Sequence, residues 1–217
     1  HTAYRRQRQM CIRDSNTASA KALRTIQQIN LPVIDATRRV LGVIRPTAEC
    51  IGEITRSRHV GILATAGTIK SESYLLEIHK LSPDIVVTGE ACPMWVSLVE
   101  NNEYQSEGAD YFVKQHINRL LDKDPMIDTI ILGCTHYPLL LDKIRQFTPG
   151  HIRIIAQGEY VARSLQDYLN RHPEMDARCE KGGKCRFLTT ESENKFEESA
   201  SIFLGRQDIK VESIALE

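Results

Sequence analysis

A cysteine and a histidine separated by one residue, Cys134-Thr135-His136, follow directly on the apolar run Ile130-Ile131-Leu132-Gly133. A buried strand that runs into a glycine turn delivers such a pair to a strand tip. Pro138 suits the first position of a helix beginning just beyond. A thiol there meets the partial positive charge of a helix start, which favours thiolate. An imidazole two residues on can tune that thiol or act as an acid. Proton abstraction and nucleophilic attack are both open to this pair, and so is the plainer reading of a packed cysteine beside a capping histidine.

Other reactive residue types carry less. Cys179 and Cys185 with His172 lack a Cys-x-x-Cys pair, so no metal site is expected. Cys92, just before Pro93, reads as a packed strand-end thiol, and Trp95 reads as packing against a sheet.

The elements that must position Cys134 are short apolar runs alternating with longer amphipathic stretches. The runs are Leu31–Ala36, Val60–Thr65, Asp84–Gly89, Asp128–Cys134, Ile152–Gly158 and Ile209–Leu216. They are rich in Val and Ile with little strict alternation, which suits strands buried on both faces of a parallel sheet. Between them, Ala22, Leu23, Ile26 and Ile29 form one helical stripe, and Ala109, Val113, Ile117, Leu120 and Leu121 another. The expected fold is α/β with mainly parallel sheets flanked by helices. Ligands of such sheets lie beyond the carboxyl ends of strands. There this sequence places Ala64–Thr68, Thr88–Pro93 and Gly133–His136. Arg178–Lys184 reads as a polar loop with a tight turn.

Composition narrows the class. The 28 basic and 28 acidic residues balance, so charge gives no reason to expect nucleic acid or an anionic membrane as partner. No apolar run approaches the length of a membrane span, and no secretory signal is visible, so none is expected. Six cysteines scattered over 217 residues do not form a disulfide framework, which points to a reduced, cytoplasmic setting.

Four stretches in order carry a resemblance. Leu132–Leu140 resembles the second catalytic-cysteine motif of glutamate racemases, in the aspartate/glutamate racemase family. Asn16-Thr17-Ala18-Ser19-Ala20 resembles the tail of that family's first cysteine motif. Val60–Tyr74 is similar to its threonine-rich loop, and Ala91–Glu100 to its Ala-Cys-Pro…Val-Glu segment. Ile152–Leu169, with Gly158-Glu159, fits as well. The resemblance implies cofactor-independent interconversion of L- and D-glutamate, supplying D-glutamate for peptidoglycan. One thiolate takes the α-proton and a second thiol returns a proton to the opposite face. Cysteine suits both tasks, with a reference pKa of about 8.5.

Carried over, the resemblance makes Cys134 one catalytic thiol and His136 the histidine beside it, with Glu100 a carboxylate assisting the pair. It makes Asn16, Thr17, Thr65, Thr68, Thr135 and His136 the groups that hold the substrate. Thr65 and Thr68 could instead cap the helix that follows, and Glu100 could be a solvated helix-end charge. The resemblance also implies two α/β domains facing a cleft. One, incomplete, would be built from residues 16–39 and 150–217, the other from 40–149.

The pattern breaks upstream. Ser15 stands where the first catalytic cysteine is expected, and a serine hydroxyl does not ionise usefully near neutral pH. Cys11 lies ~13 Å away in extended chain, too far to substitute. Residues 1–15 do not match the family, and no strand is expected before Asn16, because Arg5, Arg6, Arg8 and Arg13 would be costly in a sheet buried on both faces. The uncovered edges should make the chain aggregate or form a homodimer. An inactive racemase-like fragment, a binding module, and a Cys-His hydrolase using Cys134 are the competing readings.

Overall fold

A computed structural model describes residues 10–13 and 16–215. By contact the chain forms two compact units, His1–Arg178 and Cys179–Glu217. The first is built on a four-stranded, all-parallel sheet in the order β4-β3-β5-β6. Its strands are β3 (His59–Ala64), β4 (Val86–Ala91), β5 (Thr129–Gly133) and β6 (Arg153–Ala156). The expected α/β class and parallel sheet are therefore found.

Alternation along the strands explains both cores. Leu63, Ile130 and Leu132 face one side, where α6 (Pro93–Glu100), α7 (Glu107–Lys123) and α8 (Leu141–Phe147) pack. Val60, Ile62, Ala64, Ile131 and Ile155 face the other, against α3 (Ile44–Ile54) and α5 (Ser73–Leu81). Each fully buried Ile or Leu contributes roughly 1.5–3 kcal/mol, so the register is held from both faces. The α7 stripe is as expected, with Ala109, Val113, Ile117 and Leu120 all fully buried. Gly61 leaves room for it, since a Cβ there would stand 2.7 Å from Leu120 Cδ2.

The early part of the chain corrects two expectations. Met10–Arg13 is a strand, β1, pairing parallel with β2 (Arg39–Gly42), with Cys11 opposite Val40. Arginines weigh against a strand only where both faces of its sheet are buried. A two-stranded ribbon apart from the main sheet imposes no such burial, and β2 is at most half-buried. Leu31–Ala36 was expected as a strand, but Leu31–Asp35 is a helix, α2. Pro32 sits in its first turn, where proline is favoured. The chain enters α2 from α1 (Asn16–Thr25) through a π-helical turn, Ile26–Asn30. Val33 and Ile34 are 86% and 77% exposed, so their β-branched character reflects no sheet burial.

The remaining helices of the first unit are α4 (Ala66–Lys70), α9 (Gln157–Arg171) and α10 (Pro173–Asp176). In the second unit β7 (Phe187–Thr189) and β8 (Val211–Ser213) pair in parallel beside α11 (Glu193–Leu204). The expected turn in Arg178–Lys184 uses Gly182 and Gly183, both at positive φ. No helix among the described residues is long and apolar enough to cross a membrane.

At the opposite end of the sheet from the strand tips, Asp128 holds the entry to β3. Its carboxylate accepts from the Thr55 hydroxyl at 2.7 Å and from the Arg56 and Ser57 amides at 2.7 and 2.6 Å. Burial raises its pKa, but these donors, the Ser57 amide foremost, outweigh burial and hold the carboxyl well below the usual range. Asp128→Asn is expected to cost about 2 kcal/mol of unfolding free energy at neutral pH. A depressed folded pKa confers stability above the unfolded value, about 3.9, and loses it as pH falls through the folded value. Urea melts should therefore show the gap between wild type and variant closing as the pH drops below about 4.

Candidate active site

The register of the sheet brings the site together. Ala64 pairs with Gly133 across β3 and β5, and with Ala91 across β3 and β4. The next residue on each strand, Thr65, Cys134 and Cys92, therefore emerges at the carboxyl edge beside its neighbours. The Cys92 amide donates to the Ala64 carbonyl at 2.9 Å, holding that edge closed. Glycine at 133 permits a close approach. A Cβ there would lie 3.0 Å from Ala64 Cβ and 3.2 Å from Tyr74 Cε2, so the Tyr74 ring packs directly over the strand end that carries Cys134.

Cys134 is buried, 8% exposed, with Sγ 3.7 Å from His136 Nδ1. His136 Nε2 in turn lies 3.3 Å from Glu100 Oε1 at the end of α6, where the carboxyl is largely exposed. Thiol, imidazole and carboxylate thus form a line running from the buried strand tip to solvent. This line can carry a proton away from the sulfur or back to it. Burial pushes the Cys134 thiol up; the His136 and Tyr137 amides pull it down, and the Glu100 charge raises it further. The net direction is upward. The helix-start amides favour thiolate as the sequence suggested, but loss of solvation outweighs them.

Thr65 caps α4. Its hydroxyl accepts from the Thr68 amide at 3.3 Å and lies 3.0 Å from the Thr68 hydroxyl. Thr65 is therefore the helix cap, and it directly follows Ala64, which pairs with Gly133 on β5. Thr135 is exposed between the thiol and the imidazole. Cys92 is fully buried, and burial together with Glu90 pushes its thiol far up, as befits a packing residue. Trp95 is equally buried, edge-on to Tyr137 with centroids 4.8 Å apart.

Asn16, the first residue of α1, is 4% exposed. Its Oδ1 accepts from the Tyr74 hydroxyl at 2.6 Å, while its Nδ2 has no hydrogen-bond partner among the described residues. Gln157 Nε2 donates to the Tyr74 oxygen at 2.5 Å. Neither Tyr74 nor Gln157 was singled out from sequence. Tyr74 closes the Val60–Tyr74 stretch, and Gln157 stands one residue past the β6 tip, and those positions were their only signal. Ser15 lies outside the described residues. Thr17 is in the first turn of α1, and its side chain also lies outside the description. Among the described residues no three His, Cys, Asp or Glu side chains are grouped to hold a metal ion.

A family model described as Asp/Glu/Hydantoin racemase matches residues 15–165. A glutamate racemase of Listeria monocytogenes is 38% identical over 202 residues, covering 93% of this chain and 72% of its own length. One from Enterococcus faecalis is 37% identical over 206 residues, covering 93% of this chain and 71% of its own. Among solved structures, a glutamate racemase isoform from Bacillus anthracis aligns with a TM-score of 0.84 at 33% identity, over 96% of this chain and 74% of that one. The glutamate racemase of Francisella tularensis, solved in complex with D-glutamate, gives 0.80 at 26% identity over the same shares, 96% and 74%.

The electrostatics of Cys134 can be read directly. Its alkylation by iodoacetamide, followed by peptide mass spectrometry, should titrate with a midpoint above that of an ordinary cysteine. Glu100→Gln should move that midpoint downward by removing the nearby negative charge. A midpoint unmoved by the substitution would disconnect the carboxylate from the thiol.

Proposed function

The chain belongs to the Asp/Glu/hydantoin racemase family, and on that premise we propose that it is a glutamate racemase, working in the cytoplasm to supply D-glutamate for peptidoglycan. The observation that carries this reading is the line Cys134–His136–Glu100 at the strand tips, joined through Tyr74 to Asn16, whose NH2 has no partner among the described residues. The relatives' own name, and the D-glutamate in the Francisella tularensis complex, support the choice of substrate.

The chemistry proposed here needs no electron sink beyond the substrate. His136 takes the Cys134 proton and passes its charge toward Glu100, and the thiolate then removes the α-proton of glutamate. The C–H bonding pair moves into the adjacent carboxylate, which gains negative charge as the α-carbon flattens. Donors aimed at that carboxylate stabilise the charge as it develops. Asn16, Thr65 and Thr68 are the donors assigned to this task, and the family resemblance assigns Thr17 and Thr135 to it as well. Inversion requires a second acid on the opposite face, and Ser15 occupies the position where the family resemblance places it. The serine hydroxyl is too weak an acid to reprotonate the carbanion efficiently.

The chain should therefore exchange the α-proton of one glutamate enantiomer with deuterated water while leaving its handedness intact. Proton NMR together with chiral chromatography reads both outcomes, and Cys134→Ala should abolish the exchange. Ser15→Cys should add interconversion of the two enantiomers. Full interconversion without that substitution would contradict the single-thiol reading, and exchange that survives Cys134→Ala would remove Cys134 from the mechanism.

A further inference from the structure

Behind Asn16 lies a buried polar chain whose direction can be deduced from one obligate acceptor. The Val43 carbonyl can only accept a hydrogen bond. It lies 3.3 Å from the Gln157 side-chain nitrogen, which must therefore be the NH2 end. That nitrogen also reaches Thr47 Oγ1 at 3.2 Å and the Tyr74 oxygen at 2.5 Å. Gln157 is 8% exposed and Tyr74 3%, so neither is free to turn to water. Because the Tyr74 oxygen accepts from Gln157, its single proton is directed to Asn16 Oδ1, 2.6 Å away. Burial keeps the Tyr74 hydroxyl protonated well beyond its ordinary range, so this direction holds throughout the neutral region.

We propose that Tyr74 and Gln157 are positioning residues that commit the Asn16 carbonyl to the protein and leave its NH2 as the donor for a substrate carboxylate. This rests on the reading of the chain as a glutamate-binding racemase. An asparagine amide can turn over at little cost, and the wrong orientation would present a carbonyl oxygen to an anion. The Val43–Gln157–Tyr74 chain removes that choice. It also accounts for a buried NH2 without a partner among the described residues, an arrangement that is costly unless a ligand completes it. Tyr74 serves both sides of the site, since its ring packs over Gly133 while its hydroxyl orients Asn16.

The test uses the full chain with glutamate, followed by titration calorimetry and thermal melting. Tyr74→Phe keeps the ring and removes the proton given to Asn16. Gln157→Glu keeps the size and replaces a donor with an acceptor, so Tyr74 turns its proton away from Asn16. Each should weaken glutamate binding about tenfold or more. A purely structural role would lower the melting temperature and leave the dissociation constant alone. Proton–nitrogen NMR of the wild type supplies a reading that needs no folded variant. The Asn16 side-chain amide pair, identified by its loss in Asn16→Ala, should shift on adding glutamate. Wild type that binds glutamate with that pair unmoved, or with both variants within twofold of its affinity, overturns this proposal alone. Wild type that binds no glutamate overturns the racemase reading with it.

Discussion

The site depends on the alignment of three parallel strand ends. Because Ala64 stands opposite both Gly133 and Ala91, the residues that follow emerge together, and a slip of one residue would turn Cys134 to the other face of the sheet. Nothing local to Cys134 enforces this alignment. It is imposed by the two cores, which bury alternate residues of β3 and β5 against different helices. Glycine at 133 then lets β5 and the Tyr74 ring meet without an intervening side chain. The hydrophobic patterning of the sheet is thus what sets the geometry of the thiol.

Burial that fixes the thiol also changes its chemistry. In a dry strand tip the charged form of Cys134 is disfavoured, and the amides of His136 and Tyr137 recover only part of that loss. In the proposed reaction the Cys134 thiol must be deprotonated at the moment of use, and the line through His136 to the exposed Glu100 is the route assigned to that proton. A high thiol pKa has a corresponding advantage, because the thiolate once formed is a strong base toward a weakly acidic α-carbon. Asn16, in turn, is held by the Tyr74 hydroxyl, and Tyr74 by Gln157 behind it. The Cys134–His136–Glu100 line and the Asn16–Tyr74–Gln157 chain therefore come from separate elements, α6 and the β5 tip on one hand and α1, α5 and α9 on the other.

What the sequence disclosed was whatever repeats at short range. The β5 run, the α7 stripe and the Cys134–His136 spacing are local patterns, and each is found where expected. Leu31–Asp35 misled because Val33 and Ile34 are strand formers by composition, yet they are exposed on a helix opened by Pro32. β1 was overlooked because arginines were weighed against a fully enclosed sheet, whereas Met10–Arg13 joins a two-stranded ribbon. The direction of the Cys134 shift was misread from the helix start alone, since loss of solvation, set by side chains far apart in sequence, outweighs the local amides. Tyr74 and Gln157 escaped for the same reason: they lie 58 and 83 positions from the partners that give them meaning, Asn16 and Tyr74.

The most direct test of the account is a crystal structure of the chain with glutamate bound. The α-carbon should lie about 3.5 Å from Cys134 Sγ, with one carboxylate accepting from Asn16 Nδ2 and with the Asn16 carbonyl still on Tyr74. Glutamate bound away from the β5 tip, or with Asn16 presenting its oxygen to the ligand, would contradict it.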